Sequence, residues 1–237
     1  MKLNKLLKNH NIQLSKWSHK AYKEGLAQMK KSKDPTHDAW HVQELVSFLN
    51  DFLNEETNNT KQKINFNILI PSIAWHDVWK SRRKQRFNPI AWFYHRYYEG
   101  HGSKKIFLNY ANINKLPKKE SNKIAFAIVK HAYPIEGKKK YKQKANPKKH
   151  IEACLLYDLD YLDVWNINKY LYLSKRYLNQ DLTFKYPIMR FVVKNHYKLY
   201  SKDKPQYFLL PWTQKKFETK RKEVLNWAKE VLKANNI

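Results

Sequence analysis

The stretch IAWHDVWK, residues 73–80, closes an apolar run that begins at Phe66. The run reads as a helix buried on all sides, from Phe66 to about Trp79. Near its end His76 and Asp77 sit side by side. Burying adjacent polar, metal-competent side chains costs stability unless something pairs with them. Their purpose depends on what else in the chain reaches the same point.

The chain has 237 residues, long enough for a sizeable core and within the range of one domain. Hydrophobic residues make up 42% and aromatics 15%, which fits a globular protein and not a disordered tail. Glycine is scarce, at four residues, which disfavours a turn-rich β fold. Neither GxGxxG nor GxxxxGK[ST] occurs, so the common glycine-rich phosphate cradles are excluded. Cys154 is the only cysteine, which excludes an internal disulfide framework and a cysteine-rich zinc site. The N-terminal MKLNKLLKNHNIQLSKW lacks the continuous apolar core of a signal peptide, and no run reaches the ~18 apolar residues of a membrane helix. A cytoplasmic protein without membrane contact is expected. The net charge of +27 would attract a polyanion or an anionic small molecule. The basic residues are spread along the chain, however, as solvated helix faces also require.

Outward from residues 73–80 the pattern is helical throughout, and the class expected is all-α. One helix is predicted over 12–32. Another opens at DPTHDAW, with Asp34 as N-cap and Pro35 at the first helical position, and runs through HVQELVSFLNDFLNEE. TNNTKQKIN reads as a loop, and 80–99, which contains Pro89, as a loop or broken helix. Further helices are predicted near 101–113, 118–132, 148–163, 166–178 and 213–234, with a basic surface loop at 133–149. Short strands are an alternative near 166–173 and 184–193, which are rich in Tyr, Phe and Val. A single domain over 1–237 is expected, with its core at about 20–200 and a closing helix at about 213–234.

Several polar groups fall on apolar helix faces: His41 in AWHVQELV, His76 and Asp77 in IAWHDVW, and Asp160 in LLYDLDYLDVW. His37 and His41 are four apart and share a face if both are helical, as do Asp160 and Asp163, three apart. Neutral imidazoles with carboxylates suit a first-row divalent ion, and these four groups could converge on one ion between core helices. Each taken alone reads equally as a hydrogen-bonded core residue. Taken in order, the set resembles the HD superfamily of metal-dependent phosphohydrolases, named for an adjacent His-Asp pair. DPTHDAWHVQELV is similar to the family's first-histidine helix, ILIPSIAWHDVWK to its HD helix, and HIEACLLYDLDYLDVW to its final aspartate helix. LPWTQKKFETKRKEVLNWAKEVL is similar to its closing helix, so the resemblance spans about 20–235.

The resemblance implies His41, His76, Asp77 and Asp160 as ligands of a divalent ion: Mn, Fe, Co, Ni or Mg. Asp77 and His76 would then be the catalytic pair, with Asp77 holding the proton of the attacking water. Asp158 is the rival for the final aspartate. It lies about 200° around the helix from Asp160, so both cannot face one ion. Asp158 or Asp163, and His37, would then support the ligands. His101 and His131 fall between the HD pair and Asp160, where relatives with two ions place extra histidines. They are candidates for a second metal shell or for phosphate contact. Three departures stand out: Trp79 replaces a frequent glycine, Val78, Trp79 and Lys80 follow the pair without an HDxxE glutamate, and Trp165 and Asn166 stand where the branch usually has a glycine.

Lys80, Arg82, Arg83, Lys84 and Arg86 follow the pair directly and could hold phosphate, with Trp92, Phe93 and Tyr94 able to stack a base. An exposed basic turn followed by core aromatics explains the same residues. The activity implied is hydrolysis of a phosphate ester or anhydride of a nucleotide or related molecule, by a metal-activated water. Two alternatives stay open. One is a nucleic-acid phosphodiesterase or nuclease. The other is a catalytically silent metal protein that binds nucleic acid or senses a ligand. Substrate identity and oligomeric state do not follow from the sequence.

Overall fold

The computed structural model describes residues 2–32, 36–82, 89–131, 145–178 and 207–234. All regular elements among them are helices, as the sequence predicts: α1 (Leu3–Asn9), α2 (Lys16–Lys30), α3 (Ala39–Glu55), α4 (Asn58–Gln62), α5 (Phe66–Trp75), α6 (Val78–Ser81), α7 (Pro89–Ile113), α8 (Lys118–His131), α9 (Ile151–Asp163), α10 (Ile167–Leu178) and α11 (Pro211–Ala234). The chain divides into two compact units, Met1–Asp160 and Tyr161–Ile237.

The first unit is built around α5, which packs against α2, α8, α3 and α7. Its sequence is apolar on every face, and all of Ile68 to Trp75 is buried. Gly25 makes the close approach of α2 possible, because a Cβ there would lie 2.8 Å from the Cβ of Ala74. Trp75 ties the pair together by donating its indole N–H to the Ala21 carbonyl at 2.7 Å. On its other side Trp75 meets the rings of Phe107 and Tyr110 from α7. Helix α3 contributes an apolar stripe at helical spacing: Val42, Leu45, Val46, Leu49, Phe52 and Leu53.

In the second unit α10 packs against α11, with Tyr170 stacked on Trp227 at 5.2 Å between centroids. Trp165 meets Phe217 edge-on, and Phe217 meets Phe208. Pro211 opens α11, where a missing backbone N–H costs nothing.

Several elements differ from the sequence reading: α1 is not expected from it, and α4 lies within the 57–65 stretch that it reads as a loop. The helix expected to run from Phe66 to Trp79 stops at Trp75. Asp77 leaves the helical region, at φ −110° and ψ 9°, and a separate short helix α6 follows. The helix expected from Asp34 and Pro35 begins instead at Ala39; those two residues lie outside the described residues. Asp38 is the cap, accepting from the backbone N–H groups of Trp40 at 2.8 Å and His41 at 3.3 Å. Residues 89–113 form one helix, with Pro89 at its first position, so the break expected within 80–99 lies before it. Residues 167–173 are helical, not strand, whereas 184–193 and most of the basic loop, 132–144, lie outside the described residues. The breaks come from capping and turn chemistry, which a hydrophobic pattern does not encode.

Candidate metal centre

The break at the end of α5 has a functional consequence. A continuous helix would keep Asp77 on the helical spiral. The turn instead aims its carboxylate into the space between α3, α7, α8 and α9. His76 and Asp77 are fully buried there, and His41 is 1% exposed. His41 comes from the first turn of α3, set in place by the Asp38 cap. Asp160 is the last residue of the first unit, on α9.

One group of ligand atoms forms around Asp77 Oδ2. It comprises His41, His76, Asp77 and Asp160, and its four atoms all lie within 4.8 Å of one another. His41 Nε2 is 3.2 Å from Asp160 Oδ1 and 3.7 Å from Asp77 Oδ2. His76 Nε2 is 3.5 Å from Asp160 Oδ1 and 3.3 Å from Asp77 Oδ2. The two Nε2 atoms face each other at 3.1 Å. A second group forms around Asp77 Oδ1 from Asp77, Glu99 and His131. His131 Nε2 lies 3.4 Å from Asp77 Oδ1 and 3.8 Å from Glu99 Oε1. Lys80 pairs with Asp77 Oδ1 at 3.1 Å and with Glu99 Oε1.

Backbone contacts fix the imidazole tautomers. His76 Nδ1 donates to the Ile73 carbonyl at 2.8 Å, and His131 Nδ1 donates to the Ile128 carbonyl. In the neutral ring each Nε2 is then left with a lone pair aimed at carboxylate oxygens. Lone pair facing lone pair is repulsive, and Asp77 Oδ2, unlike Oδ1, has no ammonium beside it. A cation between them, or protons on the rings, resolves the arrangement. Burial works against charging His76, but the carboxylates of Asp77 and Asp160 outweigh it and hold its pKa up to about 9. His131 is likewise opposed by burial, yet Asp77 and Glu99 raise it to about 10. Burial pushes both aspartates up. Lys80, His76 and His37 more than reverse this at Asp77, and His41 and His76 do so at Asp160, leaving both well below the usual carboxylate range. Lys80 is buried, which disfavours its charge, but Asp77 and Glu99 raise its pKa above that of a free lysine.

This donor set fits a divalent first-row ion. Two nitrogens and two carboxylate oxygens converge, the His76 tautomer is fixed from behind, and Asp160 keeps a side-chain exposure of 23%, so the group opens to solvent on that side.

The remaining candidates are spread more widely. His37 lies before the cap of α3, so it does not share a helix face with His41. It still reaches the centre, with Nε2 3.7 Å from Asp77 Oδ2 and Nδ1 2.6 Å from Thr36 Oγ1. Asp158 is fully buried near Cys154, whose thiol is pushed up to about 12 by burial and then by Asp158 and Glu152; it belongs to neither group. Asp163 is also buried but serves the second unit, accepting from Asn166 at 3.2 Å and Lys169 at 2.7 Å. His101 is exposed on α7 and belongs to neither group. Of the basic residues, Lys80 points inward into the second group, Arg82 is exposed, and Arg83, Lys84 and Arg86 lie outside the described residues. Trp92, Phe93 and Tyr94 are on α7, their side chains outside the described residues.

Glu99 is the residue that sequence reasoning missed. A signal was present, since it is the only acidic residue between Asp77 and Glu120 in a strongly basic stretch. Trp79, found where a glycine was expected, also has a place. Its ring lies over Gly102 of α7, where a Cβ would come within 2.3 Å, and its backbone N–H donates to Ser103 Oγ at 3.0 Å. This clamp of α6 on α7 sets Lys80 opposite Glu99.

Among the described residues no helix is long and apolar enough to cross a membrane. No protein-family model, curated protein or solved structure matches the chain.

Proposed function

We propose that the chain is a metal-dependent phosphohydrolase of the HD type, acting on a phosphate ester or anhydride of a nucleotide or related small molecule. The observation that supports this most is the group around Asp77 Oδ2. Its two imidazole nitrogens and two carboxylate oxygens, mostly buried, converge within 4.8 Å of one another, as the ligands of one cation would. His41, His76, Asp77 and Asp160 would hold the ion. A divalent ion there would supply Lewis acidity, lowering the pKa of water and polarising a phosphoryl oxygen.

The chain's own groups do the rest. The backbone contact at His76 Nδ1 keeps Nε2 as the ligating atom. Asp77 Oδ2 lies where it can orient a water and hold its proton, being the one carboxylate shared by both groups. His37, 23% exposed and 3.7 Å from Asp77 Oδ2, would touch an entering phosphate or receive a proton. The net charge of +27 favours arrival of an anion.

The test is phosphate release from a panel of nucleotides, cyclic dinucleotides and short oligonucleotides. Chelated protein would receive Mn, Co, Ni, Fe or Mg, with Asp77→Ala in parallel. Release that returns with metal and is lost in Asp77→Ala supports the reading. Silence with every metal, although metal is bound, would favour a binding or sensing protein. Turnover of oligonucleotides that falls steeply with salt would move the substrate class to nucleic acid.

A further inference from the structure

Asp77 has a second oxygen, and the phosphohydrolase reading does not use its surroundings. Oδ1, Glu99 and His131 offer three ligand atoms, all within 4.8 Å of one another. His131 is 5% exposed, its Nδ1 is committed to Ile128, and its Nε2 makes no hydrogen bond while facing both carboxylates. That is the arrangement of a ligand histidine. The cluster nevertheless already contains a cation. The Lys80 ammonium, 9% exposed, lies against Asp77 Oδ1 and Glu99 Oε1. It is held there by the clamp of Trp79 on Gly102 and Ser103.

We propose that Lys80 is a resident cation filling a latent second divalent-ion site made of Asp77 Oδ1, Glu99 and His131, and so keeps the centre mononuclear. This rests on the reading of the Oδ2 group as a metal centre. The charges support it. The Lys80 ammonium already supplies a positive charge beside two of the carboxylates, Asp77 and Glu99. An ammonium and a divalent ion cannot both occupy the space between Asp77 Oδ1 and Glu99, since their repulsion is strongest where water is excluded. Removing the ammonium leaves two carboxylate oxygens and an imidazole nitrogen around an uncompensated negative charge, a donor set that suits a second divalent ion.

The experiment is equilibrium dialysis of the full chain against Mn(II), with bound metal counted per chain. Wild type, Lys80→Met, Glu99→Gln and the double variant Lys80→Met/Glu99→Gln would be compared. Methionine keeps the length and apolar stem of lysine without its charge. Wild type is expected to hold a single ion, Lys80→Met two, and the double variant one again. Glu99→Gln alone should keep the single ion, because Glu99 faces only the lysine side. Circular dichroism and melting report whether each variant is folded, and Lys80→Gln replaces Lys80→Met if the latter is not. A Lys80 variant that stays at one ion overturns the inference, as does a wild type that already holds two. Loss of the ion in Glu99→Gln also overturns it, since Glu99 would then serve the first site. A wild type without any ion would instead refute the metal-centre reading itself, and the inference with it.

Discussion

The two oxygens of Asp77 face opposite answers to one electrostatic problem. On the Oδ2 side stand His37, His41, His76 and the carboxylate of Asp160, with no permanently charged cation among them. On the Oδ1 side stand Glu99, His131 and the ammonium of Lys80. A buried carboxylate needs a compensating charge on each side. The chain supplies its own on one side, and on the other it leaves a set of ligand atoms. A covalently tethered cation cannot exchange, so the lysine side suits a structural task. The histidine side suits an exchangeable ion near solvent-accessible Asp160.

The comparison breaks most completely if Asp77 is replaced. In Asp77→Asn both sides lose their shared anion, and Lys80 keeps a buried charge with one fewer partner. The expected cost is about 3–5 kcal/mol in denaturant unfolding of the metal-free protein. Hydrolysis should fall by ~10³-fold or more, a loss of at least ~4 kcal/mol of transition-state stabilisation. Unchanged unfolding would show that the carboxylate is not the hub proposed here.

Acidity sharpens the contrast next. The pKa values of His76 and His131 are raised in the folded protein, to about 9 and about 10. Their contribution to stability is therefore complete below the unfolded value near 6.5 and is lost as pH rises through 9 to 10. Asp77 and Asp160 are lowered, so their contribution is present above the ordinary carboxylate range and lost as pH falls through it. The metal-free protein should therefore melt lower at pH 9.5 than at pH 6.5, by ~5–10 °C on the scale of a few kcal/mol. Metal replaces the proton of His76, so the gain in melting temperature on adding Mn(II) should grow as pH rises toward 9. A gain that shrinks with pH would mean that the rings do not ligate.

Gly102→Ala tests the clamp that serves the lysine side. A methyl group 2.3 Å from the Trp79 ring must push α6 from α7. The expected cost is about 1–3 kcal/mol, read as a lower melting temperature, with Mn(II) binding on the histidine side little altered. The smallest effect expected is that of Asp38→Ala, which removes the cap of α3 and should cost ~1 kcal/mol. Because that cap also receives the His41 backbone N–H, Mn(II) affinity should fall with it by roughly ten-fold. Asp163→Asn is the matching control on α9, and it should leave metal content unchanged because its partners are Asn166 and Lys169.

The helical class and the histidine side were legible in the sequence for physical reasons. Apolar spacing announces buried helices, and His41, His76, Asp77 and Asp160 each interrupt such a face. The lysine side was legible only at His131, a candidate for a second metal shell. Lys80 reads as a phosphate-holding or surface base in a basic run, and Glu99 as an ordinary helix residue. Their meaning comes from the chain break after Trp75 and the packing of α6 on α7, which are set by turn geometry and by Gly102. His37 shows the same limit: a four-residue spacing predicted a shared helix face, but the cap at Asp38 puts His37 outside the helix and still within reach of Asp77.

The most direct test of the account is the Mn(II) content of wild type and His41→Ala after equilibrium dialysis at one free-metal concentration. A single bound ion is expected in wild type and none in the variant, with the variant still folded. Wild type that binds no ion, or His41→Ala that binds as wild type does, would contradict it.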